Sequence, residues 1–308
     1  RFLDELQDVM TIHTAPLTRT VEKAEYIRTH KPETKAKIQY QLPSSFSISQ
    51  INSFRRCPYQ YKLQHILKIP MAQSHHLSFG NSMHNTLQAF YERVQQLNAA
   101  KQGNLFSPYE GEPEGVTESD KKEIKVPTID ELLAIYEDKW IGDWYESETQ
   151  RKARKADGVR MLREYYRARE GRWTVPITIE GGFRLRLGGH TIRGKIDRID
   201  QTAEGHLHII DYKTGKPKDT VTGDDKDQLL LYQLAAETLP DYHHIGPVDR
   251  LSYYYLENDT AVSFKGEPKD LEKLETKLIE TIEEILSTDW GAVEKCEGSC
   301  FGCGDTFI

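Results

Sequence analysis

Two aspartates and a lysine are spaced so that they could act together. They lie in Gly194-Lys-Ile-Asp197-Arg-Ile-Asp200 and in His206-Leu-His-Ile-Ile-Asp211-Tyr-Lys213-Thr-Gly215. Both runs read as strands, and Thr202-Ala-Glu-Gly205 between them reads as a hairpin turn. With the turn centred there, Asp197 and Asp211 fall nearly opposite each other, where cross-strand Cβ atoms are about 5 Å apart. Asp211 and Lys213, two apart on one strand, project to the same face. A one-residue bulge would adjust this register. Two carboxylates so close repel unless a cation sits between them. Hard oxygen donors that leave water positions open suit Mg²⁺ or Mn²⁺. Such an ion lowers the pKa of a bound water and stabilises a pentavalent phosphate. Lys213 could position that water or offset phosphate charge. Spacing alone also fits a surface hairpin with an ordinary salt bridge.

Two further groups could serve such a site. His84, in Gly80-Asn-Ser-Met-His84, falls in the first turns of an expected helix, where it could complete a metal site or touch phosphate. A lone helix histidine is otherwise structural or exposed. Gln228 and Tyr232, four apart on one helix face, could hydrogen-bond a backbone or base, or simply pack. The cysteines are Cys57, then Cys296, Cys300 and Cys303 in a C-x3-C-x2-C run with Gly298, Gly302 and Gly304 in and beside it. Thiolates converging in this way could hold a [4Fe–4S] cluster or a tetrahedral Zn²⁺, pinning the two ends of a domain together.

The elements that must carry these groups follow from period and punctuation. Residues 1 to 45 read as a tail and linker, with Lys31, Pro32, Lys35 and Lys37 breaking any apolar period. Helices are expected over Ser47 to Lys68 (one or a pair), Gly80 to about Leu97, Ile129 to Glu170, Asp227 to Leu239 and Pro268 to Ser287. Strands are expected over Val175 to Leu187, Thr191 to Asp200, His206 to Lys213 and Leu251 to Glu257, with Gly188 and Gly189 at the first turn. Ala99 to Thr128 reads as a long mobile loop. Arg151 to Arg172 holds nine basic residues against three acidic ones, a candidate track for a nucleic-acid backbone or a solvated face.

The 308 residues carry a net charge of −7, so no global basic field exists and nucleic-acid binding would need a local patch. No apolar run is long enough for a membrane helix, and four cysteines are too few for a disulfide scaffold. The start has neither a signal-peptide core nor an initiator Met, as expected of a piece of a longer, cytoplasmic chain with no membrane partner.

In order, Gly80-x3-His84, Gly194-x-Ile-Asp197-Arg-Ile-Asp200, Asp211-Tyr-Lys213-Thr and Gln228-x3-Tyr232 resemble the RecB-type branch of the PD-(D/E)XK nucleases over roughly residues 46 to 308. Phe54-Arg-Arg-Cys57-Pro-Tyr-Gln-Tyr61, with the terminal cysteines, resembles the iron–sulfur staple of AddB-type nucleases. Arg1-Phe-Leu-Asp-Glu-Leu6 resembles the segment that closes the motor core of UvrD-type superfamily 1 helicases. The resemblance implies an α/β fold with a restriction-endonuclease-like core: a central mixed β-sheet flanked by helices, with a helical N-terminal part. It divides the chain into a tail from a preceding helicase core, residues 1–45, and a nuclease domain, residues 46–308, stapled by Cys57 with Cys296 to Cys303.

Carried over, the resemblance makes His84, Asp197 and Asp211 ligands of Mg²⁺ or Mn²⁺, with the Tyr212 carbonyl as a further one. It makes Lys213 the catalytic lysine, and Gln228 and Tyr232 DNA-orienting residues. It implies a [4Fe–4S] cluster on Cys57, Cys296, Cys300 and Cys303, with structural Zn²⁺ as the alternative. The family's terminal pattern is C-x2-C-x5-C; Cys300 and Cys303 fit its first part, and the next ligand would fall just beyond Ile308, leaving Cys296 as a spare or a substitute. The implied activity is hydrolysis of DNA, single-stranded or at duplex ends, by the nuclease module of a helicase–nuclease in repair or recombination. The alternative is a catalytically silent DNA-binding or scaffolding module, against which every polar motif position is filled.

Overall fold

The computed structural model describes residues 40–70, 73–99 and 124–296. Helix α1 (Ile48–Arg56) opens on a capping box: Ser47 Oγ accepts the Gln50 N–H at 3.3 Å, and Gln50 Oε1 accepts the Ser47 N–H at 2.9 Å. Cys57 ends α1 and caps the short α2 (Pro58–Tyr61), its Sγ accepting the Gln60 N–H at 3.3 Å. A π-helical turn, Lys62–Ile66, follows.

Helix α3 (His75–Ala99) buries Phe79, Met83, Leu87, Phe90, Tyr91 and Val94 along one stripe. It begins before Gly80, so His84 lies in its third turn rather than its first. The expected helix over 129–170 is two, α4 (Ile129–Lys139) and α5 (Glu148–Arg167), each with its own side-chain N-cap, Thr128 and Ser147.

The described strands form one mixed sheet in the order β1 (Thr178–Leu187), β2 (His190–Gln201), β3 (Leu207–Lys213), β4 (Val248–Tyr255), β5 (Thr260–Phe264). Neighbours are antiparallel except β3 and β4, which run parallel because α6 (Gly223–Thr238) and the short α7 (Pro240–His243) carry the chain back between them. Gly188 and Gly189 make the β1–β2 turn with φ of 52° and 85°, which glycine adopts without a Cβ clash. Strand β5 has no counterpart among the sequence expectations. It is a five-residue edge strand with no buried residue, so it lacks the apolar alternation that announces a strand.

Helices cover both faces. Tyr212 and Tyr254 of β3 and β4 meet Tyr165 of α5, whereas Asp211 and Tyr253, one residue earlier on each strand, meet Gln228 of α6. Period-two alternation delivers the hydroxyl-rich set to one face and the acidic set to the other. Helix α8 (Pro268–Ser287) buries Leu274, Leu278, Ile282 and Ile285. The chain beyond it returns to α1 and α2: Trp290 stacks on Tyr61 at 5.4 Å between ring centroids, and Lys62 Nζ donates to the Val293 carbonyl at 2.9 Å. No helix of the described residues is long and apolar enough to cross a membrane.

Candidate functional site

The β2–β3 ladder pairs Arg198 with Ile210, and Asp197 and Asp211 stand one step further along their strands, opposed as their distance from the turn requires. Asp197 Oδ2 accepts the backbone N–H of Tyr212 at 2.9 Å. Asp211 is 2 % exposed. Its Oδ1 accepts from Gln228 Nε2 at 3.0 Å, and its Oδ2 lies 2.7 Å from Lys213 Nζ in an ion-pair contact without hydrogen-bond alignment. Lys213 also sits over the Tyr253 ring, 4.5 Å from its centroid. Gln228 is fixed on both sides, its Nε2 donating to the Tyr232 hydroxyl at 2.7 Å and its Oε1 accepting from the Tyr253 hydroxyl at 3.1 Å. The structure thus joins Gln228 to Asp211 directly, a contact the helix spacing alone did not reveal.

From α3, His84 Nδ1 reaches Asp197 Oδ2 at 3.2 Å. A third carboxylate arrives from β1: Glu180, 3.8 Å from His84 Nδ1 and 2.6 Å from Lys195 Nζ. Glu180 has φ 50°, a left-handed conformation rare for a residue with a side chain. It stands between the Ile179↔Arg198 and Gly181↔Ile196 pairs, facing Asp197. The sequence reading missed Glu180 and Lys195, yet the signal was available. Glu180 and Asp197 are equally far from the Gly188-Gly189 turn, a closer match than Asp197 and Asp211 make about theirs.

These carboxylates and the imidazole perturb one another. Burial, then the neighbouring Asp211 charge, raises the Asp197 pKa to about 7. Burial works to lower the His84 pKa, but the neighbouring Glu180, Asp197 and Asp211 carboxylates outweigh it and raise it to about 9. Burial would likewise raise Glu180, but His84 and Lys195 hold it below the ordinary carboxylate range. A concentration of negative charge on buried oxygens is the electrostatic environment a divalent cation relieves.

The donor set fits such an ion. His84, Glu180 and Asp197 each offer one ligand atom, all within 4.8 Å of one another, and the Asp211 charge bears on both Asp197 and His84 from the neighbouring strand. Oxygen donors with one imidazole are the ligands of Mg²⁺ and Mn²⁺ rather than of a thiophilic metal.

Cys57 Sγ and Cys296 Sγ are 3.9 Å apart across 239 residues, a separation one thiolate-bound centre can bridge. Aromatic packing brings them there, since Trp290 sits against both Phe54 and Tyr61. Cys300 and Cys303 lie outside the described residues, as do the helicase-like segment at Arg1 to Leu6 and most of the expected loop. The basic stretch over Arg151 to Arg172 proves to be largely an ion-paired face. Arg151 and Lys152 meet Glu148, Arg154 meets Asp157, Lys155 meets Glu137, Arg160 meets Glu164, and Arg169 meets Asp259. Helix α5 also packs on the Tyr212 face of the sheet, opposite Asp211.

A mixed sheet carrying opposed acidic residues, with a lysine two positions after the second, is matched by a nuclease family. The chain belongs to the PD-(D/E)XK nuclease superfamily, whose model matches residues 45–304. It is 28% identical over 209 residues to the Gene 69 protein of Mycobacterium phage D29, covering 64% of this chain and 70% of that protein. It is 29% identical over 212 residues to an ATP-dependent helicase/deoxyribonuclease subunit of Desulforamulus reducens, covering 60% of this chain but only 17% of that protein's length. A solved structure from Eubacterium rectale, described as that of a proposed exonuclease, aligns with a TM-score of 0.45 at 13% identity, over 82% of this chain and 83% of that one.

Proposed function

We propose that this chain is a divalent-metal-dependent DNA nuclease. The observation that carries the reading is the grouping of His84, Glu180 and Asp197 within 4.8 Å of one another, with Asp211 and its Lys213 partner on the neighbouring strand. The ion would be Mg²⁺ or Mn²⁺, held by His84, Asp197 and Asp211 with the Tyr212 carbonyl, and when bound it supplies Lewis-acid polarisation and a water of lowered pKa. Lys213, close to Asp211 yet 32% exposed on its side chain, is placed to donate to a phosphate oxygen or to hold the attacking water. Gln228 orients Asp211 through its amide, and Tyr232 holds Gln228 in turn. Both line the cleft through which DNA would enter.

Two finer assignments belong to this reading. Similarity to a helicase/deoxyribonuclease protein supports a nuclease module, residues 46–308, following a helicase-derived segment, residues 1–45, in a chain that processes DNA ends for repair or recombination. The approach of Cys57 to Cys296 supports a structural metal centre completed by Cys300 and Cys303, a [4Fe–4S] cluster in our reading and Zn²⁺ in the alternative.

The test is purified protein with Mg²⁺ or Mn²⁺ on single-stranded and duplex DNA, beside Asp211→Ala and Lys213→Ala. Cleavage by the native chain, with each variant reduced at least a hundredfold, supports the reading; equal cleavage by all three overturns it. DNA binding without metal and without cleavage would assign the scaffolding role instead.

A further inference from the structure

The outer face of the β1–β2 hairpin carries Arg184, Arg186, Arg193 and Lys195, all exposed. Arg184 and Arg193 are directly opposed in the ladder, and Arg186 is opposed to Thr191. Like charges facing each other across a strand pair are destabilising. Among the described residues none of the three arginines meets an acidic partner, in a chain whose net charge is −7. The contrast with α5 is sharp, where acids compensate the cations of a far more basic stretch. A charge excess kept uncompensated at a cost in stability marks a surface awaiting an anion.

The stripe also leads somewhere. Arg193 and Lys195 line a cleft of about 640 Å³ together with Arg56, Gln228, Tyr232 and two aspartates, Asp224 and Asp225, that are already paired with Arg55 and Lys218. Lys195 reaches Glu180 at the metal ligands, and Gln228 reaches Asp211. The cationic face is therefore continuous with the candidate active site.

We infer that the β1–β2 hairpin face is the track on which the phosphodiester backbone of a DNA strand lies as it enters the cleft, with Arg184, Arg186 and Arg193 contacting phosphates outside the bond to be cut. This rests on the nuclease reading for the location of the cut, but binding is measurable without it. Backbone contacts of this kind carry no sequence preference and release counterions, so they make affinity salt-dependent.

The experiment measures binding of a fluorescein-labelled single-stranded oligonucleotide by anisotropy across a sodium chloride series, with EDTA present to prevent cleavage. The native chain is compared with Arg184→Ala/Arg186→Ala/Arg193→Ala and with the α5 control Arg151→Ala/Lys152→Ala. Loss of three phosphate contacts should weaken binding about tenfold to a hundredfold at 0.1 M salt and flatten the log–log salt slope by about 2, while the control is unchanged. Relief of the opposed arginines predicts that Arg184→Thr holds or raises the melting temperature while weakening binding, a pairing that misfolding cannot produce. Native-like affinity and slope in the triple variant, or equal weakening in the control, overturns the inference. If the native chain binds through the hairpin but does not cleave with Mg²⁺ or Mn²⁺, the nuclease reading fails and the track stands; if it cleaves while the triple variant binds normally, only the track fails.

Discussion

The backbone N–H of Tyr212 donates to Asp197 Oδ2, so the strand that bears Asp211 also holds the opposing carboxylate in place. The Tyr212 side chain points to the other face of the sheet. There its hydroxyl meets Arg198 Nη1 and the Tyr165 hydroxyl, both at 3.0 Å. Arg198 is buried and lies 3.9 Å from the centroid of the Tyr91 ring. It grips Asp200 through Nε and Nη2 at 2.6 and 2.7 Å, and its Nη2 reaches Thr174 at 2.5 Å. The residues that immediately follow the two aspartates thus form a satisfied network behind them.

Such a network is costly to break from one side. Arg198→Ala, which strands Asp200, should destabilise the protein by about 3–5 kcal/mol. Tyr212→Phe, which removes one hydroxyl, should cost about 1–3 kcal/mol. Urea unfolding with unchanged slopes checks both; a loss below about 0.5 kcal/mol for Arg198→Ala would show the network to be dispensable.

Carboxylate repulsion at Glu180, Asp197 and Asp211 predicts that the ion stabilises the fold. At a hundred times its dissociation constant, Mn²⁺ should add about 2.7 kcal/mol, a rise in Tm of roughly 5–10 °C for a domain of this size. Glu180→Gln should lower the Tm measured in EDTA, because His84 and Lys195 stabilise the Glu180 carboxylate in its charged form and lose that partner. If Glu180 is a ligand, a tenfold weaker ion removes about 1.4 kcal/mol of that gain, roughly half of the shift. Differential scanning fluorimetry with and without Mn²⁺ decides, and an unaltered shift in the variant excludes Glu180 as a ligand.

His208 gives a pH dependence away from the candidate site. Burial, opposed by Asp200 and reinforced by Arg250 and Arg198, lowers its pKa to about 4, and Nε2 lies 2.7 Å from Ser252 Oγ. A depressed pKa means that the fold binds the neutral ring. The stability is therefore complete above the unfolded value near 6.5 and is lost as pH falls toward 4. The upper limit is roughly 3 kcal/mol, less whatever solvent contact screens. The difference in unfolding free energy between the native chain and His208→Gln, followed from pH 7 to pH 4, should narrow by that amount; parallel curves refute the assignment.

The proposed cysteine centre has a colour test. Protein purified without oxygen should be brown, contain about four irons per chain and bleach on reduction, and Cys57→Ser should lose the iron and part of the stability. A colourless protein with one zinc assigns the alternative, and a metal-free chain removes the centre altogether.

Much of this was legible before folding was considered. The Gly188-Gly189 and Thr202–Gly205 turns and the period-two alternation bring Asp197 and Asp211 to within one residue of opposing each other, with Lys213 on the Asp211 face, by counting along the chain, and the ladder that pairs Arg198 with Ile210 settles the last residue of register. The apolar stripe of α3 and that of α8 follow from the helical period in the same way. Local chemistry suffices for these because hairpin register and helix faces are short-range properties.

The rest needed the assembled molecule. That Gln228 orients Asp211, that Tyr212 spans both faces of the sheet, and that Trp290 brings Cys296 to Cys57 are contacts between elements far apart in sequence, which packing alone brings together. The two basic stretches were decided at the same level. Arg151 to Arg172 is the richer in cations, yet the fold supplies most of those with acids, whereas the three hairpin arginines meet no acidic partner among the described residues, antiparallel pairing setting Arg184 against Arg193. Composition counts charges, but only tertiary structure determines which of them are already neutralised.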